Sequence, residues 1–100
     1  MPEYIYLVHP YRREMAFQPT PEEEVILNEH LTYLQEAATR GVVLLAGPCL
    51  DGTFGLVVFR AENESIAQQF MFDDPAVKAN LMVAELHLFS VSVVGEFSYR

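Results

Sequence analysis

A histidine and an aspartate far apart in the chain have the types that proton transfer needs. His30 lies in a segment where Leu27, Leu31, Leu34 and Ala38 recur, the spacing of one helix face. At about 100° per residue His30 falls inside that stripe, so its ring is expected to face the interior rather than water. Asp74 follows Asp73 and precedes Pro75, a pattern that starts a helical turn. Imidazole titrates near neutrality, and a carboxylate on one ring nitrogen fixes the tautomer and raises the basicity of the other. Brought together by the fold, the two form a general base with its orienting partner. Such a pair removes a proton beside a carbonyl or hydroxyl in an elimination, isomerisation or hydrolysis. The architectural alternative makes His30 a core residue satisfied by one hydrogen bond and Asp74 only a helix cap.

Other residues are weighed in the same way. Gly47 and Pro48, with Gly55 further on, suit a pocket wall where backbone meets a ligand; turn chemistry and a bulge or tight packing site in a strand explain them more simply. Arg12 and Arg13 could draw an acidic substrate through the planar guanidinium fork, or be solvated surface charge. Phe17 and Met15 share that loop, as a lid on an apolar pocket or as its anchors. His9 and His87 belong to strands expected to be neighbours. Two imidazoles and a carboxylate suit a metal, but no short-range ligand motif is present and no metal site is expected. Cys49 has no basic neighbour in sequence and reads as an inert small residue. No nucleophile elbow, phosphate loop or dinucleotide fingerprint occurs.

These residues must be held by elements that the sequence outlines. Residues 4–9 are β-branched and aromatic, a first strand. Residues 10–19 form a loop. Thr20, Pro21 and Glu23 make a capping box with proline in the first turn, opening a helix that runs to about Arg40 and stops at Gly41. Residues 42–46 are a second strand, 47–53 a turn-rich connection and 54–60 a third strand. Asn63 caps a second helix from Glu64 to about Phe72. Asp74 caps a short third helix ending near Met82, and residues 85–94 are the last strand. The order β-α-β-β-α-β defines an α+β, ferredoxin-like domain: a four-stranded antiparallel sheet with helices on one face.

The strands also carry a message about assembly. Val42 and Leu44 alternate with Val43 and Leu45, and Leu56 and Val58 with Val57 and Phe59, so both sheet faces are apolar. Helices cover one face. The other needs a cover as well, and the simplest is the same face of a second copy about a two-fold axis. A homodimer with sheets stacked face to face is therefore expected.

Composition sets bounds. One hundred residues make a single domain, 1–100. Hydrophobic residues are 51% of the chain and the mean hydropathy is +0.14, high for a small domain and in keeping with a subunit interface. Fourteen acidic against six basic residues give a net charge of −8, which repels phosphate backbones and anionic membranes. One cysteine permits no internal disulfide and fits a reducing cytoplasm. No signal peptide and no apolar run of membrane-spanning length are seen.

The inward His30, Gly41, the Ala46-Gly47-Pro48 segment, Gly55 and Asp73-Asp74-Pro75 before a final strand follow one another in an order that resembles the YciI-like (YCII-related) proteins over nearly the whole chain. The resemblance implies a ferredoxin-like fold, a dimeric α/β barrel, and a His and an Asp near one another at the active site, matching His30 and Asp74. No cofactor is expected. The family includes a dehydrochlorinase acting on a chlorinated hydroxyquinol, and similar folds serve muconolactone isomerases and small cofactor-free monooxygenases. The expected function is acid/base catalysis on a small organic molecule, aromatic or acidic. The alternative is a non-catalytic ligand-binding or accessory module on the same dimer.

Overall fold

The computed structural model describes residues 1–96; the last four residues of the expected 1–100 domain lie outside it. The chain runs β1 (Glu3–Pro10), a 3-10 turn (Arg13–Ala16), α1 (Pro21–Thr39), β2 (Val43–Pro48), β3 (Gly55–Arg60), α2 (Glu64–Phe72), α3 (Pro75–Lys78) and β4 (Met82–Phe89). The four strands form one sheet in the order β2-β3-β1-β4, with every pairing antiparallel. This is the ferredoxin-like arrangement, with β3 between the first two strands.

Alternation along β1 sorts the two faces. Tyr4, Tyr6 and Val8 are buried under the helices. Opposite them on β3 stand Phe59, Val57 and Gly55. A Cβ on Gly55 would lie 3.0 Å from the Val8 side chain, so a larger residue here would have to push Val8 aside. Tyr6 meets the Phe59 ring edge-on at 5.5 Å, Phe59 lies 4.9 Å from Phe70, and Phe70 stacks on Tyr33 at 5.1 Å. Such aromatic pairs add to plain area burial. Leu34 and Ala37 of α1 and Ala67 and Met71 of α2 complete this core.

The other face carries Ile5, Leu7 and His9 of β1. Its neighbours are Leu56 and Val58 on β3 and Val83, Glu85, His87 and Phe89 on β4. Val83 and Phe89 are well exposed. No helix of the described residues covers this face.

Helix ends follow their capping chemistry. Thr20 accepts from the Glu23 N–H and the Glu23 carboxylate accepts from the Thr20 N–H, with Pro21 in the first turn. Asn63 caps α2 and Asp74 caps α3.

Several sequence boundaries are corrected. Gly47 and Pro48 are not in the turn: both continue β2, paired with Leu56 and Gly55. An edge strand tolerates proline, because the missing N–H would have faced no partner. The turn proper spans 49–54, closed by the Cys49 N–H to the Phe54 carbonyl, with Gly52 at φ +78°. Strict alternation in β2 also fails. A register shift between Val43 and Leu45 leaves Val43 buried and both Leu44 and Leu45 part-exposed, as a bulge does when it re-aims side chains. The third helix is a single turn, ended early by Asn80 at φ 60°. The last strand therefore begins at Met82 and stops at Phe89, where the pairing with β1 runs out at Glu3.

Candidate active site

His30 and Asp74 meet. The His30 Nδ1 is 2.7 Å from Asp74 Oδ1 and 2.9 Å from Oδ2. The packing of α1 against α3 brings together two residues separated by 44 positions. The His30 side chain is 16% exposed and that of Asp74 is fully buried.

Asp74 is surrounded by donors. Its Oδ1 accepts from the Ala76 N–H at 3.0 Å, the cap of α3. Its Oδ2 accepts from the Tyr6 hydroxyl at 2.7 Å. A buried carboxylate needs such partners to offset its lost hydration. Burial, and then the Asp74 charge, push the Tyr6 hydroxyl far above its ordinary range, so Tyr6 stays a donor. A carboxylate only accepts, so His30 Nδ1 carries the proton of this bond, and in the neutral ring it is Nε2 that holds the lone pair.

That lone pair opens into a cleft. Nε2 makes no hydrogen bond to the described residues, yet no buried side-chain nitrogen or oxygen among them is without a partner. His30 lines a cleft of about 690 Å³ between α1, the 3-10 segment and the β2–β3 side of the sheet, and Asp74 does not. The ring thus meets the cleft with the edge opposite the carboxylate. The apolar stripe of α1 also serves this cleft: Leu27, Leu31, Leu34 and Ala38 all line it. Leu31 and Ala38, expected in the core, are exposed to its open space.

The other candidates divide. Phe17, Gly47 and Pro48 line the cleft, as do Met15 and Cys49. Arg12 and Arg13 do not. Arg12 binds both carboxylate oxygens of Glu23 through Nε and Nη2, and also the Gln18 carbonyl. Arg13 donates to the Asp51 carbonyl at 3.1 Å. Glu23 is buried, and Arg12, then the Tyr11 hydroxyl, then the Thr20 N–H hold its carboxyl down at about 2. The arginines tie the loop before α1 to its surroundings. Phe17 packs on Gly52, where an added Cβ would lie 2.9 Å from the ring.

His9 and His87 do share a face. Each places Nε2 near one oxygen of Glu85, at 2.9 and 3.1 Å, and these bonds hold the Glu85 carboxyl below its usual range. The three lie on the open sheet face. No group of three metal-binding side chains in ligating geometry occurs among the described residues.

Sequence reading missed Tyr6. Its signal was present: Tyr4, Tyr6 and Val8 alternate inward, and a tyrosine buried in mid-strand must find a partner for its hydroxyl. Tyr33 was missed too. Its hydroxyl donates to the Phe70 carbonyl at 2.7 Å. Burial, then Asp73 and Asp74, raise it to about 12.

A ferredoxin-like α+β domain with a carboxylate-anchored histidine at the wall of an apolar cleft is the class that the fold and site define. The chain belongs to the YCII-related domain family, whose model matches residues 4–90. Among solved structures it is similar to 5-chloro-2-hydroxyhydroquinone dehydrochlorinase (TftG) from Burkholderia phenoliruptrix AC1100, in complex with 2,5-dihydroxybenzoquinone. The TM-score is 0.61 at 18% identity, covering 87% of this chain and 93% of that one. At that identity the likeness concerns the fold. No protein of curated function matches the sequence. No helix among the described residues is long and apolar enough to cross a membrane.

Proposed function

We propose that this chain is a small cytoplasmic enzyme, a homodimer acting without a cofactor, that moves protons on a small organic substrate. His30 Nε2 is the base and Asp74 the orienting partner. The observation that carries this reading is the 2.7 Å bond between His30 Nδ1 and a fully buried carboxylate, in a ring whose other edge faces a cleft. In the forward step Nε2 takes a proton from a hydroxyl or an activated C–H of the substrate. The electron pair left behind either expels a leaving group from a neighbouring atom, an elimination, or is reprotonated elsewhere by the imidazolium, an isomerisation. Either course returns His30 to its starting state once the proton is passed on. The dehydrochlorinase with the similar fold makes elimination of hydrogen chloride from a chlorinated hydroxyhydroquinone the first reaction to test.

The dimer reading rests on the uncovered sheet face. Ile5, Leu7 and Leu56, all half-buried, form its apolar middle, and Val83 and Phe89 stand exposed beside them. A second copy stacked there removes this surface from water. Sedimentation at micromolar concentration is expected to give twice the mass of the chain. The cytoplasmic assignment is supported by the single free Cys49.

Catalysis is tested by incubating the purified protein with 5-chloro-2-hydroxyhydroquinone and related hydroxylated rings, following chloride release and ring absorbance. His30→Ala is expected to lose about 10²- to 10⁴-fold in rate, the usual contribution of a positioned acid or base. Undiminished turnover in that variant removes His30 from the mechanism.

A further inference from the structure

The same cleft states what charge its ligand carries. Its walls are apolar, with Met15, Phe17, Leu31, Val43, Phe54 and Leu56 among them, and of the described residues His30, Gln35 and Cys49 alone bring polar side chains to it. Among the described residues no lysine, arginine, aspartate or glutamate lines it. The two arginines of the adjoining loop are committed elsewhere, Arg12 to Glu23 and Gln18 and Arg13 to the Asp51 carbonyl. The carboxylate of Asp74 stands directly behind His30, and the chain as a whole is at −8. An anion entering this space gives up water and meets no lysine or arginine of the described residues in return. A charge buried without a partner is costly, and the field of an acidic protein opposes its approach. A cleft of about 690 Å³ lies within the range of small-molecule sites and accommodates a ring.

We propose that the cleft selects an uncharged, ring-sized organic molecule that presents one hydroxyl or acidic C–H to His30 Nε2, and that it discriminates against carboxylates and phosphates. This narrows the expected aromatic or acidic substrate to a neutral one. It rests on the reading of the cleft as the substrate site and requires no turnover.

The test uses the purified full chain and two probes that share one hydroxylated ring, the first uncharged and the second an anion at neutral pH: methyl 4-hydroxybenzoate and 4-hydroxybenzoate. Binding is followed by amide NMR shifts at Leu31, Gly47 and Phe17. The ester is expected to move these amides and to bind at least about tenfold more tightly than the acid, a difference on the order of 1.4 kcal/mol. In Leu31→Arg, a change at a part-exposed wall position, the preference is expected to shrink or invert. Equal or tighter binding of the acid by the unaltered protein overturns the proposal, as does an ester that leaves the cleft amides unmoved at millimolar concentration. The two readings fail separately: His30→Ala without effect on turnover removes the base but leaves the charge preference standing, whereas tight binding of the acid removes the preference and leaves the base in place.

Discussion

The molecule holds histidine–carboxylate contacts in two settings, and the difference between them lies in the surroundings. His30 and Asp74 are 2.7 Å apart and His9 and Glu85 are 2.9 Å apart, so distance alone does not separate them. The Asp74 side chain is fully buried; that of Glu85 is 49% exposed. Asp74 gathers three donors from three elements: Tyr6 on β1, His30 on α1 and the Ala76 N–H of α3. Glu85 divides its oxygens between two exposed rings, His9 and His87. Charges in water attract weakly and are screened by salt, whereas a sheltered pair is held in one geometry. The first arrangement holds one ring nitrogen against a buried carboxylate, in a histidine that lines a cleft. The second is a surface network on a face that lacks a helix.

The largest effect is expected where the buried arrangement is cut. Asp74→Ala removes the α3 cap and strands the Tyr6 hydroxyl and the His30 Nδ1–H. Breaking a buried charged partner in this way costs about 3–5 kcal/mol, to be read from urea unfolding curves. A loss below about 1 kcal/mol would place Asp74 in the same class as Glu85 and erase the contrast. Tyr6→Phe keeps the packing on Phe59 and Phe70 and deletes one donor, so about 1–2 kcal/mol is expected. The milder Asp74→Asn addresses orientation. With an amide opposite Nδ1 the ring is no longer held in one form, and ¹⁵N shifts of His30 should report a mixture of tautomers while the signals of His9 and His87 stay put. A single Nδ1–H tautomer in both proteins would show that the carboxylate does not set it.

The contrast was half visible in the sequence. Helical phase placed His30 on the apolar side of α1, and the Asp-Asp-Pro run marked the cap, because both signals are local. Their meeting depends on α1 packing against α3, which local patterns do not encode. The partner of Tyr6 stayed hidden for the same reason: alternation assigns a face but not what lies across it. Gly47 and Pro48 were read as a turn because their types favour one, yet pairing with Leu56 and Gly55 keeps them in β2, where an edge strand can hold a proline. The bulge after Val43 and the early start of β4 follow from register with neighbouring strands, a property of pairs rather than of one segment. Phe17, Gly47 and Pro48 do line the cleft with His30. Arg12 and Arg13 are drawn off by Glu23 and a carbonyl, partners that composition alone does not reveal.

Acid titration separates a third carboxylate from both. Glu23 has its carboxyl lowered from 4.5 to about 2, chiefly by Arg12. A depressed carboxyl contributes stability that is complete above its unfolded value, and that is lost as pH falls from about 4.5 toward about 2. Thermal melts over that window should fall more steeply for the unaltered protein than for Glu23→Gln. Parallel curves would mean that the Arg12 clamp adds nothing to the folded state.

The smallest effect is expected at Glu85. Its carboxyl is also lowered, by the bonds from His9 and then His87, so its contribution has the same sign: present above the ordinary carboxylate range and lost below it. In water that contribution is screened, and a surface pair adds little measurable stability. Glu85→Gln, melted at a dilution that keeps the chain monomeric, should match the unaltered protein in Tm, and added salt should change neither. If the proposed dimer forms, the substitution should act on association instead, because face-to-face stacking would take Glu85 and both rings out of water. A monomer destabilised as strongly as by loss of Asp74 would show that exposure does not govern these contacts. A dissociation constant that ignores the substitution would put the partner on some other face.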